Sequence, residues 1–177
     1  SVVNNIAALK ELDSDVFQRL SDIIPPGFPA ITFGLETALL DLINDGKRII
    51  YFNDFILGVP IPINGLIWMG GQHFMRKQVD QKIAQGFSCI KLKIGGLDFG
   101  SECEVLEYIR HQYGHKNIQI RLDANGAFST DVALPRMREL AKFNIHSIEQ
   151  PIQPGLPDME ILCRESPIPV ALDEELI

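Results

Sequence analysis

The stretch Ser88-Cys89-Ile90-Lys91-Leu92-Lys93-Ile94-Gly95-Gly96 decides how the rest of the chain is interpreted. It is a short apolar run that ends at a glycine pair, which is typical of a strand running into a loop. Because side chains in a strand alternate between faces, Lys91 and Lys93 are predicted to lie side by side near its carboxyl end. Two neighbouring ammonium groups repel each other, so one of them can lose its proton and act as a base. The alternative is an edge strand that shows its lysines to water, where they discourage aggregation.

Three later apolar runs each end in a carboxylate. The runs cover residues 118–125, 145–151 and 169–175, and the carboxylates are Asp123, Glu149 and Asp173. Counted from Lys93, the intervals are 30, 26 and 24 residues, each the length of one strand and one helix. Strands that alternate with helices predict parallel β/α units, and in a (β/α) barrel the chemistry gathers at the carboxyl ends of the strands. We therefore expect two lysines and three carboxylates around one mouth.

Composition limits the class of protein. The 177 residues are 46% hydrophobic and 22% charged, as in an ordinary globular domain with a core. The formal net charge of −7 argues against nucleic acid or an anionic membrane surface as a partner. The odd set Cys89, Cys103 and Cys163 has neither disulfide nor metal-site spacing and is typical of reduced thiols. No signal peptide or membrane span is recognisable, so we expect a cytoplasmic protein.

Residues 1–60 are predicted to be mainly helical. Ser14 can cap a first helix that Pro25-Pro26-Gly27 ends, and its apolar residues at helical spacing are Val16, Phe17, Leu20 and Ile23. A second helix is predicted over residues 29–44. The residues that it should bury are Phe33, Leu35, Ala38, Leu39, Leu42 and Ile43.

Residues 61–177 alternate between strands and helices. The five predicted strands cover residues 61–69, 88–96, 118–125, 145–151 and 169–175. The four predicted helices between them cover residues 72–85, 101–113, 130–143 and 157–164. In the first of these helices the residues expected to face inward are Phe74, Val79, Ile83 and Ala84.

The two faces of the predicted strands differ sharply. The apolar face, expected to pack outward against the helices, carries Ile90, Leu92, Ile118, Ile120, Leu122, Ile148, Val170 and Leu172. The other face, toward the barrel axis, carries Lys91, Lys93, Gln119, Arg121, Asp123, Asn125, Ser147, Glu149 and Asp173. A barrel interior is normally filled with branched apolar side chains, and buried charges are costly unless they are paired or bound to metal. Stability alone does not explain this polar set, so it indicates a site.

Three simpler interpretations stay open from the residues alone. Asn125-Gly126 is also a strong hairpin signal, which would make Asp123 a turn residue. Glu149 could end a strand that faces water. Gly95-Gly96 after a strand is a weak phosphate-loop signal that lacks the Gly-x-Gly-x-x-Gly and Walker spacings.

Three carboxylates without a histidine or cysteine among them suit a hard cation that prefers oxygen ligands. Mg²⁺ fits best, with Mn²⁺ as the alternative. A cation beside a lysine base is suited to removing a proton next to a carboxylate group, because the cation stabilises the resulting enediolate. The predicted partner is therefore a small-molecule carboxylate.

The order of these motifs resembles the enolase superfamily, muconate-lactonising subgroup. The motifs are Lys91-x-Lys93, Asp123 in Asp-Ala-Asn-Gly, Glu149 in Ile-Glu-Gln-Pro and Asp173 in Leu-Asp-Glu. The pairing of a lysine base with Mg²⁺ is an established example from that superfamily. Residues 62–70, Pro-Ile-Asn-Gly-Leu-Ile-Trp-Met-Gly, and residues 89–95 are most similar to the o-succinylbenzoate synthase family.

The resemblance implies a fold, a reaction and roles for residues. The fold is a partial (β/α) barrel of the enolase C-terminal type over residues 61–177, preceded by a helical remnant of an α+β capping domain over residues 1–60. The reaction is the Mg²⁺-dependent syn-dehydration of 2-succinyl-6-hydroxy-2,4-cyclohexadiene-1-carboxylate to o-succinylbenzoate, a step of menaquinone biosynthesis. Lys93 matches the acid and base, and Lys91 steers the substrate carboxylate. The implied metal ligands are Asp123, Glu149 and Asp173, which Asn125 and Arg121 would support from outside the coordination sphere.

The chain also departs from the family pattern. The first strands of the capping domain should precede Ser1, and a further acid–base lysine is expected beyond Ile177. Five strands do not close a barrel, and the last strand would be an open edge. We therefore expect these residues to be part of a longer chain and to be feebly active alone. The sequence does not predict the oligomeric state.

Three competing functions remain at this point. A dipeptide epimerase or N-acylamino-acid racemase would use the same ligands with paired lysines, and would exchange a Cα proton without dehydration. A Schiff-base aldolase would use Lys93 as a nucleophile. A non-catalytic barrel with a binding or structural role would have no affinity for Mg²⁺, and its function would not depend on Lys93.

Overall fold

The lysine stretch forms the second of five parallel strands. The computed structural model describes residues 15–176, with no description of the side chains of residues 115–117. Its strands are β1 (Gly65–Ile67), β2 (Cys89–Lys93), β3 (Gln119–Asp123), β4 (Ser147–Glu149) and β5 (Val170–Ala171). They pair in the order β1-β2-β3-β4-β5, each parallel to the next.

Helices connect consecutive strands, as the strand-and-helix spacing predicts. They are α3 (Gln72–Ala84), α4 (Phe99–Asn117), α5 (Thr130–Ala141) and α6 (Asp158–Glu165), and a 3₁₀ turn over Glu174–Leu176 follows β5. Gly114 interrupts α4 with non-helical backbone angles. Sequential parallel strands with a helix in each crossover are the arrangement of a (β/α) barrel, so the predicted α/β class is confirmed.

The core lies between the apolar face of the sheet and the helices. Its fully buried side chains include Ile90 and Leu92 on β2, Ile120 and Leu122 on β3, and Ile148 on β4. The alternation that predicted this face is therefore confirmed for β2 to β4.

Three residues predicted to be buried in the β/α region are exposed: Leu172, Phe74 and Ala84. Leu172 is 40% exposed, because it follows the end of β5. Phe74 on α3 is 51% exposed, and Met75 and Val79 are buried instead. In the first turn of α3 the residue that faces the core is Met75 and not Phe74, because Met75 lies four residues before Val79 and on the same face of the helix.

The strands at the two ends of the sheet are shorter than predicted. The run 61–69 contributes only Gly65–Ile67. Pro62 has no N–H to donate to a neighbouring strand, and the backbone of Trp68 bonds to the side chain of Gln78 instead. The run 169–175 contributes only Val170–Ala171. The last of the predicted carboxylates, Asp173, therefore lies in a loop.

The chain divides into two compact units with the boundary between Ile61 and Pro62. The first contains α1 (Val16–Ile23) and α2 (Pro29–Ile43); the predicted cap Ser14 lies outside the described residues. Val16 and Leu20 are buried as predicted. The predicted burial along α2 is wrong, because the helix has no buried residue and Phe33 is 71% exposed. No helix in the described part combines the length and apolar character needed to cross a bilayer.

Arg110 on α4 joins three backbone segments at the amino-terminal end of the sheet. Its guanidinium donates to the carbonyl oxygens of Phe143 (2.7 Å), Asn144 (2.8 Å), Ile118 (2.7 Å) and Gly114 (3.3 Å). Burial lowers the pKa of Arg110 from its ordinary value. The Arg110 side chain thus supplies hydrogen bonds to backbone carbonyls that follow α4 and to others that follow α5.

Replacing Arg110 with methionine should lower the free energy of unfolding by about 3 kcal/mol, because several partly buried carbonyls lose a charged donor. Urea unfolding followed by circular dichroism measures the change. Arg138→Met, at an exposed arginine of α5, should change the free energy by less than about 0.5 kcal/mol. Equal unfolding midpoints for the two variants would contradict the role given to Arg110.

Candidate functional site

The strand register sets three predicted site residues side by side. Lys93 on β2 pairs with Asp123 on β3, and Asp123 pairs with Glu149 on β4. Each is the last residue of its strand. Because paired residues of parallel strands point to the same face, the three side chains converge at the carboxyl edge of the sheet.

Lys91 lies between two carboxylates. Its Nζ is 2.7 Å from both carboxylate oxygens of Glu149 and 3.1 Å from Oδ2 of Asp123. Burial disfavours the Lys91 ammonium, but its hydrogen bonds to Glu149 and Asp123 outweigh burial and raise its pKa above the ordinary value. The expectation that repulsion between the lysines governs their protonation is therefore wrong for Lys91, because two carboxylates surround its ammonium.

Asp123 is the most buried charged group of the site, with 2% of its surface exposed. Its Oδ2 also accepts a hydrogen bond from Nζ of Lys93 at 3.0 Å. Burial raises the pKa of Asp123, but the hydrogen bonds from Lys93 and Lys91 outweigh it and bring the pKa below the ordinary value. Asp123 therefore carries a stable negative charge in contact with both lysines.

Asn125 contacts the second lysine directly. Its Oδ1 accepts a hydrogen bond from Nζ of Lys93 at 2.6 Å, and its Nδ2 donates to Oε1 of Glu174 at 3.0 Å. Asn125 and Gly126 both have positive φ, and the N–H of Ala127 donates to the carbonyl of Ala124. The pair thus forms a tight turn, as its signal predicts, but the turn follows a parallel strand, so the hairpin alternative is wrong.

Asp173 lies outside the row formed by the other carboxylates. Glu149 pairs with Ala171, so Asp173 is two residues beyond the level of the row, past the end of β5. Its side chain is exposed and makes no hydrogen bond or ion pair with the residues that the structure describes. The next two carboxylates are engaged: Glu174 accepts from Asn125, and Glu175 accepts from Gln150 and from the N–H of Gly155.

The structure thus brings two of the three predicted ligands together. Among residues 15–176, no three His, Cys, Asp or Glu side chains are close enough together to share a metal ion. Asp123 and Glu149 meet through Lys91, while Asp173 is separate.

The chemistry of these donors fits a hard divalent cation. The Lys91 ammonium shows that positive charge is stabilised between Asp123 and Glu149. Oε2 of Glu174, in the loop after β5, is buried without a hydrogen-bond partner in the described part of the chain. All these donors are carboxylate oxygens, which Mg²⁺ prefers.

Arg121 lies on the same face of β3 as Asp123. It is paired with Lys91 on one side and Ser147 on the other, two residues below the row of carboxylates. Its Nε is buried and has no hydrogen-bond partner among the described residues. In this structure Arg121 contacts neither Asp123 nor Glu149 through a hydrogen bond, in contrast to Asn125.

Trp68, which follows β1, also lies close to Lys93, although no motif in the sequence marks it as a site residue. Nζ of Lys93 lies 6.0 Å from the centre of its ring, and 57% of Trp68 is exposed. The side-chain amide of Gln78 on α3 holds its backbone, accepting from the Trp68 N–H and donating to its carbonyl. Nothing in the local sequence links residues 68 and 78, so this contact requires the fold.

The glycine pair after β2 binds an internal carboxylate. The backbone N–H groups of Gly95, Gly96 and Leu97 all donate to Oε1 of Glu102, at 2.6, 3.1 and 3.2 Å. Gly95 has a φ of +91°, and a Cβ there would overlap Ala127, so only glycine fits. Glu102 occupies the donors that a phosphate would need, which excludes the phosphate-loop interpretation.

Glu102 makes the stability of this loop depend on pH. Burial raises the pKa of Glu102, and the three N–H groups only partly oppose this. A carboxyl group whose pKa is higher in the folded state stabilises the fold below its unfolded pKa, and this stabilisation is lost as the pH rises through the folded pKa.

We expect Glu102→Gln to remove this dependence, because the amide keeps an oxygen acceptor and carries no charge. Between about pH 4 and pH 8, the free energy of unfolding of the natural protein should fall relative to that of the variant, by no more than about 1.4 kcal/mol per pH unit. Urea titrations at several pH values measure the difference. A constant difference across this range would contradict the role of the buried charge.

Comparison with known proteins places these features in context. Residues 74–177 match the model of the family described as "Enolase C-terminal domain-like". The o-succinylbenzoate synthase of Desulfotalea psychrophila is 50% identical over 152 residues, which are 85% of this chain and 41% of that protein. The D-Ala-D/L-Ala epimerase of Cytophaga hutchinsonii is 32% identical over 106 residues, 58% of this chain and 27% of that protein.

Solved structures show the same similarity. MenC from Desulfotalea psychrophila has a TM-score of 0.68 and 38% identity, covering 99% of this chain and 51% of its own. The o-succinylbenzoate synthase from Thermosynechococcus elongatus, a complex with Mg in the active site, has a TM-score of 0.58 and 27% identity, covering 66% of this chain and 37% of its own. The chain spans about half or less of the length of these relatives.

Proposed function

The chain belongs to the enolase C-terminal domain-like family, and from this membership we propose that the protein is an o-succinylbenzoate synthase. The reaction would be the syn-dehydration of 2-succinyl-6-hydroxy-2,4-cyclohexadiene-1-carboxylate to o-succinylbenzoate, in menaquinone biosynthesis. The observation that carries the proposal is the 50% identity to the synthase of Desulfotalea psychrophila. Lys91, Lys93, Asp123 and Glu149 lie in that matched fold at one edge of the sheet.

Lys93 would be both base and acid. As a neutral amine it would take the proton from the ring carbon that bears the carboxylate, and as an ammonium it would give that proton to the departing hydroxyl, releasing water. A single group serving both steps accounts for a syn outcome. Asn125, which accepts from Nζ at 2.6 Å, would hold the amine toward the substrate. Oδ2 of Asp123, 3.0 Å from Nζ, would be the partner of Lys93 between the two transfers.

Lys91 would orient the substrate. Its ammonium is held between Asp123 and Glu149 and stays charged, because these hydrogen bonds raise its pKa. A charged donor of this kind is suited to pairing with a carboxylate. Lys91 therefore supplies charge and Lys93 transfers the proton, although the two residues are of the same type.

The proposed cation ligands are Asp123, Glu149 and Asp173, with Asn125 and Arg121 supporting them. When bound, Mg²⁺, or Mn²⁺ in its place, would supply positive charge that stabilises the enediolate formed on loss of the proton. Asp123 and Glu149 are already adjacent, and the side chain of Asp173, after β5, makes no hydrogen bond or ion pair with the described residues.

The partners proposed with this activity are small molecules. The free thiols of Cys89, Cys103 and Cys163 agree with the proposed cytoplasmic location. Residues 1–60 would be the helical part of a capping domain, and residues 61–177 the first five strands of the barrel.

The proposal is tested with the complete natural polypeptide that contains this chain. Purified protein should convert the cyclohexadiene substrate to o-succinylbenzoate, and the loss of substrate absorbance measures this conversion. EDTA should abolish the conversion, and added Mg²⁺ should restore it. Conversion that is unaffected by EDTA, or no conversion at all with bound Mg²⁺, would overturn the proposal.

Dipeptide epimerisation is the second candidate, because the epimerase of Cytophaga hutchinsonii is 32% identical over its matched region. An epimerase would exchange the Cα proton of a dipeptide with solvent deuterium. Proton NMR of dipeptides in deuterium oxide therefore separates the two functions. Exchange without any dehydration of the cyclohexadiene would favour the epimerase.

A further inference from the structure

Gln150, the residue after Glu149, is fully buried although it is polar. Its backbone has a φ of +40°, an uncommon conformation for a residue other than glycine. Strained backbone of this kind persists where surrounding structure enforces it, often next to functional sites. The unusual turn begins directly after the last residue of β4, which is a proposed ligand.

The side chain of Gln150 uses both ends of its amide. Its Oε1 accepts from the backbone N–H groups of Asp173 and Glu175, each at 3.2 Å. Its Nε2 donates to the carbonyl of Ile152 and to Oε2 of Glu175, each at 3.0 Å. The amide therefore holds the loop after β5 at two backbone positions and one side chain.

The backbone of Gln150 extends this network to both neighbouring strands. Its N–H donates to the carbonyl of Ala171 at 2.9 Å, and its carbonyl accepts from the N–H of Gly126 at 2.7 Å. Gly126 belongs to the turn after Asp123, and Ala171 is the last residue of β5. One residue thus connects the segments that carry Asp123, Glu149 and Asp173.

We infer that Gln150 is a positioning residue that sets the Asp173 backbone relative to Glu149 and so determines the affinity for the divalent cation. This inference rests on the proposed function. β5 ends at Ala171, so no strand pairing fixes Asp173, and Gln150 accepts the hydrogen bond from its N–H instead. Gln150 also engages Glu175 through a hydrogen bond to its Oε2, whereas the Asp173 side chain makes no hydrogen bond or ion pair with the described residues.

The test measures Mg²⁺ affinity by isothermal titration calorimetry on the complete natural polypeptide. Gln150→Met removes the amide, and Gln150→Asn keeps an amide that is too short to reach and tolerates positive φ. Both variants should bind Mg²⁺ about 10- to 100-fold more weakly, the usual cost of losing a group that orients a ligand. Gln72→Met, which removes a partly buried amide that donates to Glu104 and accepts from Arg76, is the matched control and should retain the natural affinity.

A double-variant cycle distinguishes positioning from a general structural role. If Gln150 acts through Asp173, Gln150→Asn should weaken binding little further once Asp173→Ala is present, because coupled residues are not additive. Two results would overturn the inference, provided that the natural protein binds Mg²⁺. One is natural Mg²⁺ affinity in both Gln150 variants. The other is a double variant whose loss of affinity equals the product of the losses in Gln150→Asn and Asp173→Ala. A natural protein that binds no Mg²⁺ would instead overturn the proposed function and this inference together.

Discussion

Replacing Lys93 with methionine should lower kcat for dehydration by about 1,000-fold, within the range that general acid–base groups contribute. Methionine keeps the length of the chain and removes the amine that accepts and returns the proton. Asp123 and Asn125 each lose a hydrogen bond from Nζ, but both retain other partners, in Lys91 and Glu174. Steady-state kinetics with the cyclohexadiene substrate, together with calorimetry of Mg²⁺ binding, measure the two effects separately.

The expected pattern is a large loss of kcat with Mg²⁺ affinity changed by less than about tenfold. Lys77→Met, at an exposed lysine of α3, serves as the control and should keep natural kinetics. A kcat for Lys93→Met within about tenfold of the natural value would show that Lys93 is not the base. Trapping of Lys93 to substrate by borohydride, with activity that survives EDTA, would point to Schiff-base chemistry instead.

Replacing Asp123 with asparagine should weaken Mg²⁺ binding by more than about 100-fold, a larger loss than that of a group outside the coordination sphere. The amide has the same shape but cannot supply a negative oxygen to the cation. Asp123 is also the carboxylate that both lysines share, so its loss leaves Lys91 with Glu149 alone and Lys93 with Asn125 alone. Dehydration activity should fall with the affinity, and calorimetry and kinetics measure the two.

The matched control for this change is Asp80→Asn. Asp80 is also partly buried and hydrogen-bonded, accepting from the hydroxyls of Tyr108 and Tyr113 on the helical side of the sheet. The Asp80→Asn variant should be less stable than the natural protein but should bind Mg²⁺ with the natural affinity. Natural affinity in Asp123→Asn would remove Asp123 from the ligand set.

The fold was predictable because alternation and unit spacing are local signals. β2 to β4 alternate apolar and polar side chains cleanly, and each is followed by a helix of ordinary length. Apolar residues of α2 gave a wrong prediction of burial, because hydrophobic content shows which residues can be buried and a packing partner decides whether they are.

The sequence predicts the positions of those site residues whose strands pair in regular register. Lys93, Asp123 and Glu149 end their strands at one level, and the sequence places each at the end of an apolar run. Asp173 does not follow this rule, because β5 ends before it and the hydrogen bonds of Gln150 replace strand pairing. Such bonds join residues that are 23 positions apart and leave no local sequence pattern.

Electrostatics was the least predictable part. From β2 alone, the two lysines are expected to repel each other, yet Lys91 contacts Glu149 across 58 positions of sequence. Charges on neighbouring strands decide protonation, and these are known only once the register is known. Glu102 escaped prediction for a similar reason, since its role depends on three N–H groups of a loop that folds back onto it.

The most direct measurement is a crystal structure of the complete natural polypeptide with Mn²⁺, using the anomalous signal of the metal to locate it. We expect a single strong peak at the carboxyl edge of the sheet, coordinated by one or more oxygens from each of Asp123, Glu149 and Asp173, with Nζ of Lys93 facing the same space. A peak held by other side chains, or coordination that leaves out Asp173 while Asp123 and Glu149 stay bound to Lys91, would contradict it.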